Sequence, residues 1–169
     1  RYKDSGNEWI GELPEEWDVT KLKHITHRII DGTHITPQYR DNGTPFLRVT
    51  DIVNMKEGMI DISRVKHISP DEHKQLSKRC SPSKGDVLFS KNGTIGVSAV
   101  VDWDFEFSIF VSLCLIKPTR RLYPRFLSLC LESEALSEQI YSEGKKNTIT
   151  NLHLDKIKEF VMGFPEVTE

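Results

Sequence analysis

Three polar loops hold the side chains best suited to contacting a ligand. Asp31-Gly-Thr-His-Ile-Thr36 offers a carboxylate, hydroxyls and an imidazole, and Ser90-Lys-Asn-Gly-Thr94 offers a cation, an amide and hydroxyls. Lys145-Lys-Asn-Thr148 repeats the cation-and-amide combination. Groups of these types donate to and accept from phosphates and base edges. Asn or Lys can also make two-pronged contacts to adenine or guanine in the major groove. Each loop has a plainer reading. Asp31-Gly32 can simply end a strand, Asn92-Gly93 can simply turn a hairpin, and the third loop can be a solvated link after a helix.

Signatures of catalysis are missing. The sequence has no GxxxxGK[ST] phosphate loop, GxGxxG dinucleotide loop, GxSxG nucleophile elbow or HExxH metal pair. Gly93-Thr-Ile-Gly96 lacks the lysine that would follow in a phosphate cradle and reads as a turn. Two carboxylate pairs raise the question of a metal-dependent nuclease. Asp71/Glu72 falls in the first turn of a helix, where acidic groups complement the helix dipole. Asp102/Asp104 flanks Trp103 in a strand-to-strand turn, with no basic partner at fixed spacing. Cys80, Cys114 and Cys130 are odd in number and widely spaced, which favours free buried thiols. His24 and His27 lack accompanying ligands at zinc spacing. No catalytic residue and no metal site are expected.

The formal net charge of -2 argues against a protein that coats nucleic acid, since phosphate binding draws on a Lys/Arg excess. An average can hide a patch, and basic residues do cluster at Lys21/Lys23, Lys84/Lys91, Arg120/Arg121 and Lys145/Lys146. Apolar residues make up 37% and charged ones 28%, and no apolar run approaches the ~18 residues of a membrane span. The sequence opens at Arg1 without a basic-then-apolar leader. The expected location is the cytoplasm, and 169 residues suit one compact domain.

The elements that must carry the loops follow from pattern. Trp17–Leu22 alternates as a strand and His27–Ile30 as another, and both are expected in one sheet. Pro37 keeps 32–39 irregular, Asp41-Asn-Gly43 marks a turn, and Pro45–Thr50 is β-rich. Ser69-Pro-Asp-Glu72 carries a capping-box signature for a helix to about Lys78. Gly85–Ser90 and Ile95–Val101 read as a hairpin around the tight turn Lys91–Thr94. Phe107–Ile116, almost continuously apolar, reads as one central strand buried on both faces. Pro124 opens the longest helix, running toward Gly144. Leu152, Leu154 and Ile157 suggest a helical turn, and Phe160–Phe164 a last strand. The expected fold is mixed α+β: a single domain on a twisted, mostly antiparallel β-sheet with a few helices.

In order along the chain, several segments resemble the specificity subunit of Type I restriction-modification systems. The opening Tyr2-Lys-Asp-Ser-Gly-Asn-Glu-Trp-Ile-Gly-Glu-Leu-Pro-Glu-Glu-Trp-Asp-Val19 is the most specific match. It is followed by Asp31-Gly-Thr-His34 with Thr36-Pro37, Pro45–Ile52, Gly85–Gly96 and Ser112–Pro118. Gly144-Lys-Lys-Asn-Thr148 departs from the Gly-Ser/Thr-rich segment frequent there in the family. The long helix that normally follows the domain would begin where the chain stops, so the resemblance implies a fragment or first domain spanning 1–169.

The resemblance implies a non-catalytic DNA target-recognition domain that reads one half of a bipartite site in double-stranded DNA. It further implies methyltransferase (M) subunits binding S-adenosylmethionine, and restriction (R) subunits that use ATP and Mg. Thr33, His34, Lys91, Asn92 and Thr94 are assigned to the DNA-facing surface, with Lys145, Lys146 and Asn147 as phosphate or edge contacts. Specificity determinants are also sought in 54–67. Two alternatives stay open: the reader of a fused single-chain methyltransferase or nuclease, and a domain that binds protein rather than DNA.

Overall fold

The computed structural model describes residues 1–142 and 150–165, and among these the chain forms eleven strands and five α-helices. In chain order they are β1 (Tyr2–Asp4), β2 (Glu12–Pro14), β3 (Trp17–Lys21), β4 (Thr26–Asp31), β5 (Thr44–Leu47), α1 (Val49–Val53) and β6 (Lys66–Ile68). There follow α2 (Pro70–Ser77), β7 (Val87–Ser90), β8 (Ser98–Val100), β9 (Ser108–Ile109) and β10 (Leu113–Pro118). The chain ends with α3 (Pro124–Leu131), α4 (Glu134–Tyr141), α5 (Leu154–Lys158) and β11 (Val161–Pro165). The mixed α+β class is the expected one. The strands, however, are divided among four small sheets rather than gathered in one.

The central sheet is antiparallel, in the order β4-β10-β7-β8. Its strands are apolar on both faces because both faces are covered. Val87 and Phe89 point to one side with Cys114 and Ile116, against Leu127, Leu131, Leu136, Ile140, Leu152 and Ile157 of the helical layer. Leu88, Leu113 and Leu115 point to the other, against Leu47, Ile52, Trp103, Phe107 and Ile109. The period-two alternation of a strand thus feeds two cores at once. The second core contains the three-stranded sheet β6-β5-β9, whose β5–β9 pairing is parallel.

Four expectations from pattern are corrected. β3 and β4 do not share a sheet: β3 pairs with β11, and a 3₁₀ turn at Leu22–His24 redirects the chain before β4 pairs with β10. Phe107–Ile116 is not one strand. It turns at 110–112, where Leu113 N donates to Phe110 O and Phe110 N to Leu47 O, so β9 joins a different sheet from β10. Pro45–Thr50 stays extended only to Leu47, after which Asp51 accepts from the Arg48 backbone and begins α1. The long helix from Pro124 is two. Ser133 Oγ accepts from Leu136 N to cap α4 and donates to Cys130 O, closing α3.

The capping signature at Ser69 is realised, its Oγ accepting from Glu72 N at 3.1 Å. The cysteines are free, and burial pushes the Cys80 thiol up to about 11. Among the described residues no helix is long and apolar enough to cross a membrane.

Gly32 follows β4 where the chain passes closest to β9. A Cβ there would lie 2.1 Å from the Ile109 carbonyl oxygen, a backbone atom that cannot swing aside. Gly32→Ala is therefore expected to lower stability by about 1–3 kcal/mol, the usual range for overpacking. A urea midpoint unchanged from the wild type would show that the two segments do not pack this closely.

Candidate nucleic-acid interface

The ends of β4 and β7 lie beside each other through β10, so the loops that follow them open onto one cleft. Thr33 N donates to Ile109 O and Val111 N to Thr33 O, fixing the first loop. In the second, Lys91 N donates to Ser112 O, and Leu152 N donates to Lys91 O at 2.7 Å. These bonds draw Lys91 out of the β7–β8 ladder. The expected tight turn at Lys91–Thr94 becomes a longer excursion, closed by Ser90 N to Val97 O and Gly96 N to Ser90 O. An isolated antiparallel bridge joins Asn92 to Asn151. Ser112, hidden in an apolar run, ties the region to α1 by accepting from Val49 N at 3.1 Å.

Asp31 lies beneath these loops and is only 4% exposed. Arg79 Nη2 donates to its Oδ1 at 2.7 Å, and Arg79 Nη1 donates to the Asp31 and Gly32 carbonyls. His34 Nε2 lies 3.1 Å from Oδ2, and Lys91 Nζ lies 3.8 Å from the same oxygen. Burial raises the carboxyl's proton affinity. The Arg79 hydrogen bond and the charges of His34, Lys91 and Arg79 outweigh it, holding Asp31 below the ordinary aspartate range.

The structure therefore separates the residues assigned to the surface. Thr94 and His34 are exposed, Thr33 and Asn92 half-buried. Thr33 Oγ1 engages the Ile35 backbone in a local turn. Lys91 is buried, its ammonium donating to Asn92 Oδ1 at 3.2 Å and to Asn151 Oδ1 at 3.3 Å. It supports the surface from below. Lys145, Lys146 and Asn147 lie outside the described residues.

The cleft has a volume of about 580 Å³ and is lined by Asp31, His34, Lys91, Asn92, Asn151 and His153, among others. Asn151 and His153 were missed by sequence reasoning. The only signal for them was their polarity ahead of the helical turn at Leu154. Segment 54–67 borders a separate cleft of about 590 Å³ that includes Arg48, Asp61 and Arg64, and the two clefts share no lining residue.

Two of the four basic clusters read from the sequence are matched by carboxylates. Lys21 and Lys23 both bond Glu159, and Lys84 lies 3.2 Å from each of Asp102 and Asp104. Lys84 is thus the basic partner that spacing did not reveal for that acidic pair. Among the described residues no group of three or more His, Cys, Asp or Glu could hold a metal ion.

Known proteins are similar to this chain in sequence and in fold. A family profile described as "Type I restriction modification DNA specificity domain" matches residues 14–169. The Type I restriction enzyme EcoBI specificity subunit of Escherichia coli is 27% identical over 162 residues, 93% of this chain and 33% of that protein. The putative type I restriction enzyme MjaX specificity subunit of Methanocaldococcus jannaschii is 25% identical over 166 residues, 95% of this chain and 38% of its own length. The chain thus spans about a third of the length of these relatives. In fold it is similar to the HsdS subunit from Thermoanaerobacter tengcongensis, with TM-score 0.65 at 18% identity over 98% of this chain and 36% of that one. The S subunit of a Type I restriction-modification system from M. genitalium gives TM-score 0.59 at 13% identity, over 90% and 35% respectively.

The electrostatics make a direct prediction. Asp31→Asn leaves the Lys91 ammonium buried with neutral partners and should cost about 3 kcal/mol at pH 7. The folded-state pKa of Asp31 is lowered, so its contribution is complete above about pH 4 and is lost as pH falls through the folded value. Urea midpoints of wild type and variant should differ widely at pH 7 and converge in acid. A difference that persists unchanged into strong acid would contradict the ion cluster.

Proposed function

Because the chain belongs to the family of Type I restriction modification DNA specificity domains, we propose that it reads one half of a bipartite target in double-stranded DNA. The observation that carries this reading is the meeting of the Asp31–His34 and Lys91–Asn92 loops with Asn151 and His153 at a single cleft. Polar side chains at such a cleft suit base edges, where sequence is read.

In this reading the domain is non-catalytic and works in the cytoplasm. It is one target-recognition domain of a longer specificity subunit, holding M subunits that bind S-adenosylmethionine and, through the complex, R subunits that use ATP and Mg. The formal net charge of -2 accords with a reader that acts in such an assembly. Where two linked domains bind one duplex, each contributes effective concentration to the other, and neither needs a strongly basic surface alone.

Methylome sequencing tests the proposal. The parent subunit is expressed with its methyltransferase, before and after this domain is exchanged for that of a relative. One half of a split methylated motif is expected to change while the other half stays. An unchanged motif, or methylation that is not bipartite, would refute the assignment.

A further inference from the structure

Lys91, Asn92 and Asn151 carry more information than their positions alone. An ammonium group only donates hydrogen bonds, so each carboxamide facing Lys91 Nζ must present oxygen to it. At 3.2 and 3.3 Å the two Oδ1 atoms do so. With both oxygens turned inward toward a cation that is itself 4% exposed, the two Nδ2 groups are turned away from it. Among the described residues neither Nδ2 has a hydrogen-bond partner, and both asparagines line the same cleft. The backbone bridge between Asn92 and Asn151 holds the pair side by side. Asp31, with Arg79 behind it, keeps the ammonium in place.

We propose that Asn92 and Asn151 form a paired amide-donor reading head, with Lys91 as its positioning residue, and that the head selects hydrogen-bond acceptors on the bound DNA strand. This rests on the DNA-reading function proposed above and gives that function a polarity. The usual asparagine–adenine contact requires the carboxamide to accept from N6 while donating to N7. With its oxygen turned inward to Lys91, the carboxamide does not present oxygen and nitrogen side by side to a base, and the accepting half of that contact is lost. What remains fits an edge of acceptors alone, such as O6 and N7 of guanine, or else phosphate oxygens. The described cleft charges largely pair off, Lys91 with Asp31 and Lys158 with Asp155, which favours the base edge over the phosphate.

The test uses the full parent subunit with its methyltransferase and a pool of duplexes randomised in this half-site, sorted by affinity at fixed salt. Asn92→Asp and Asn151→Asp each keep an oxygen toward Lys91 and replace the outward donor by an acceptor. Asn151→Ala, at an exposed position, removes the donor without adding charge. Each variant is expected to lose about ten-fold in affinity for the duplex the wild type prefers. Lys91→Met lets the carboxamides turn over.

If the head reads a base, the changes fall at one or two positions of the half-site, and Lys91→Met admits adenine there. If it holds a phosphate, all sequences weaken alike. Asparagine variants that keep wild-type affinity and wild-type preference overturn the reading head, and Lys91→Met with unaltered affinity and preference overturns its positioning role. A wild-type complex with no preference in this half-site would instead sink the DNA-reading proposal on which the head rests.

Discussion

A buried carboxylate organises the candidate interface. Taking a charge out of water costs several kcal/mol even after the protein relaxes, so Asp31 is tolerable only with cationic partners. It has two, Arg79 and Lys91, with the His34 imidazole beside them, and the three come from different parts of the chain. His34 follows it in the same loop, Arg79 comes from the turn after α2, and Lys91 comes from the loop after β7. Satisfying one charge therefore fixes three segments against one another. The two polar loops become a single surface because the same oxygen of Asp31 faces both His34 and Lys91.

The central sheet makes that convergence possible. β10 separates β4 from β7, so the C-terminal ends of those two strands emerge on the same edge, and the turn at 110–112 delivers Ser112 between them. Cores on both faces of the sheet leave few ways for this edge to shift, since close-packed interiors deform little. Gly32 marks how tight the packing is. The helical layer contributes less directly, by carrying the chain back so that Asn151 pairs with Asn92 and α5 borders the cleft.

Local signals in the sequence were reliable where the physics is local. The Ser69 cap and the alternation in Trp17–Lys21 are written in neighbouring residues, and the structure has them. The breaks were not legible in the same way. Ser112 looks like one polar residue in an apolar run until its partners Val49 and Lys91 are known, and Ser133 sits inside a plausible helical period until it caps α4. The polar loops were identifiable from residue type, but their division of labour was not. Lys91 invites reading as an exposed cation, and only Asp31, 60 residues earlier in the chain, shows it to be a buried one. Asn151 carries no motif, and its position depends on a backbone bridge that no local pattern encodes.

The central claim is that DNA is read at the cleft between the 31–34 and 91–92 loops. Its most direct test is a structure of the parent specificity–methyltransferase complex on its own methylation target. The account predicts base-edge or phosphate acceptors within about 3.2 Å of Asn92 and Asn151 Nδ2, with the Lys91 ammonium still beneath them against Asp31. A duplex seated on another face, with this cleft empty of DNA and the two asparagines facing solvent, would contradict it.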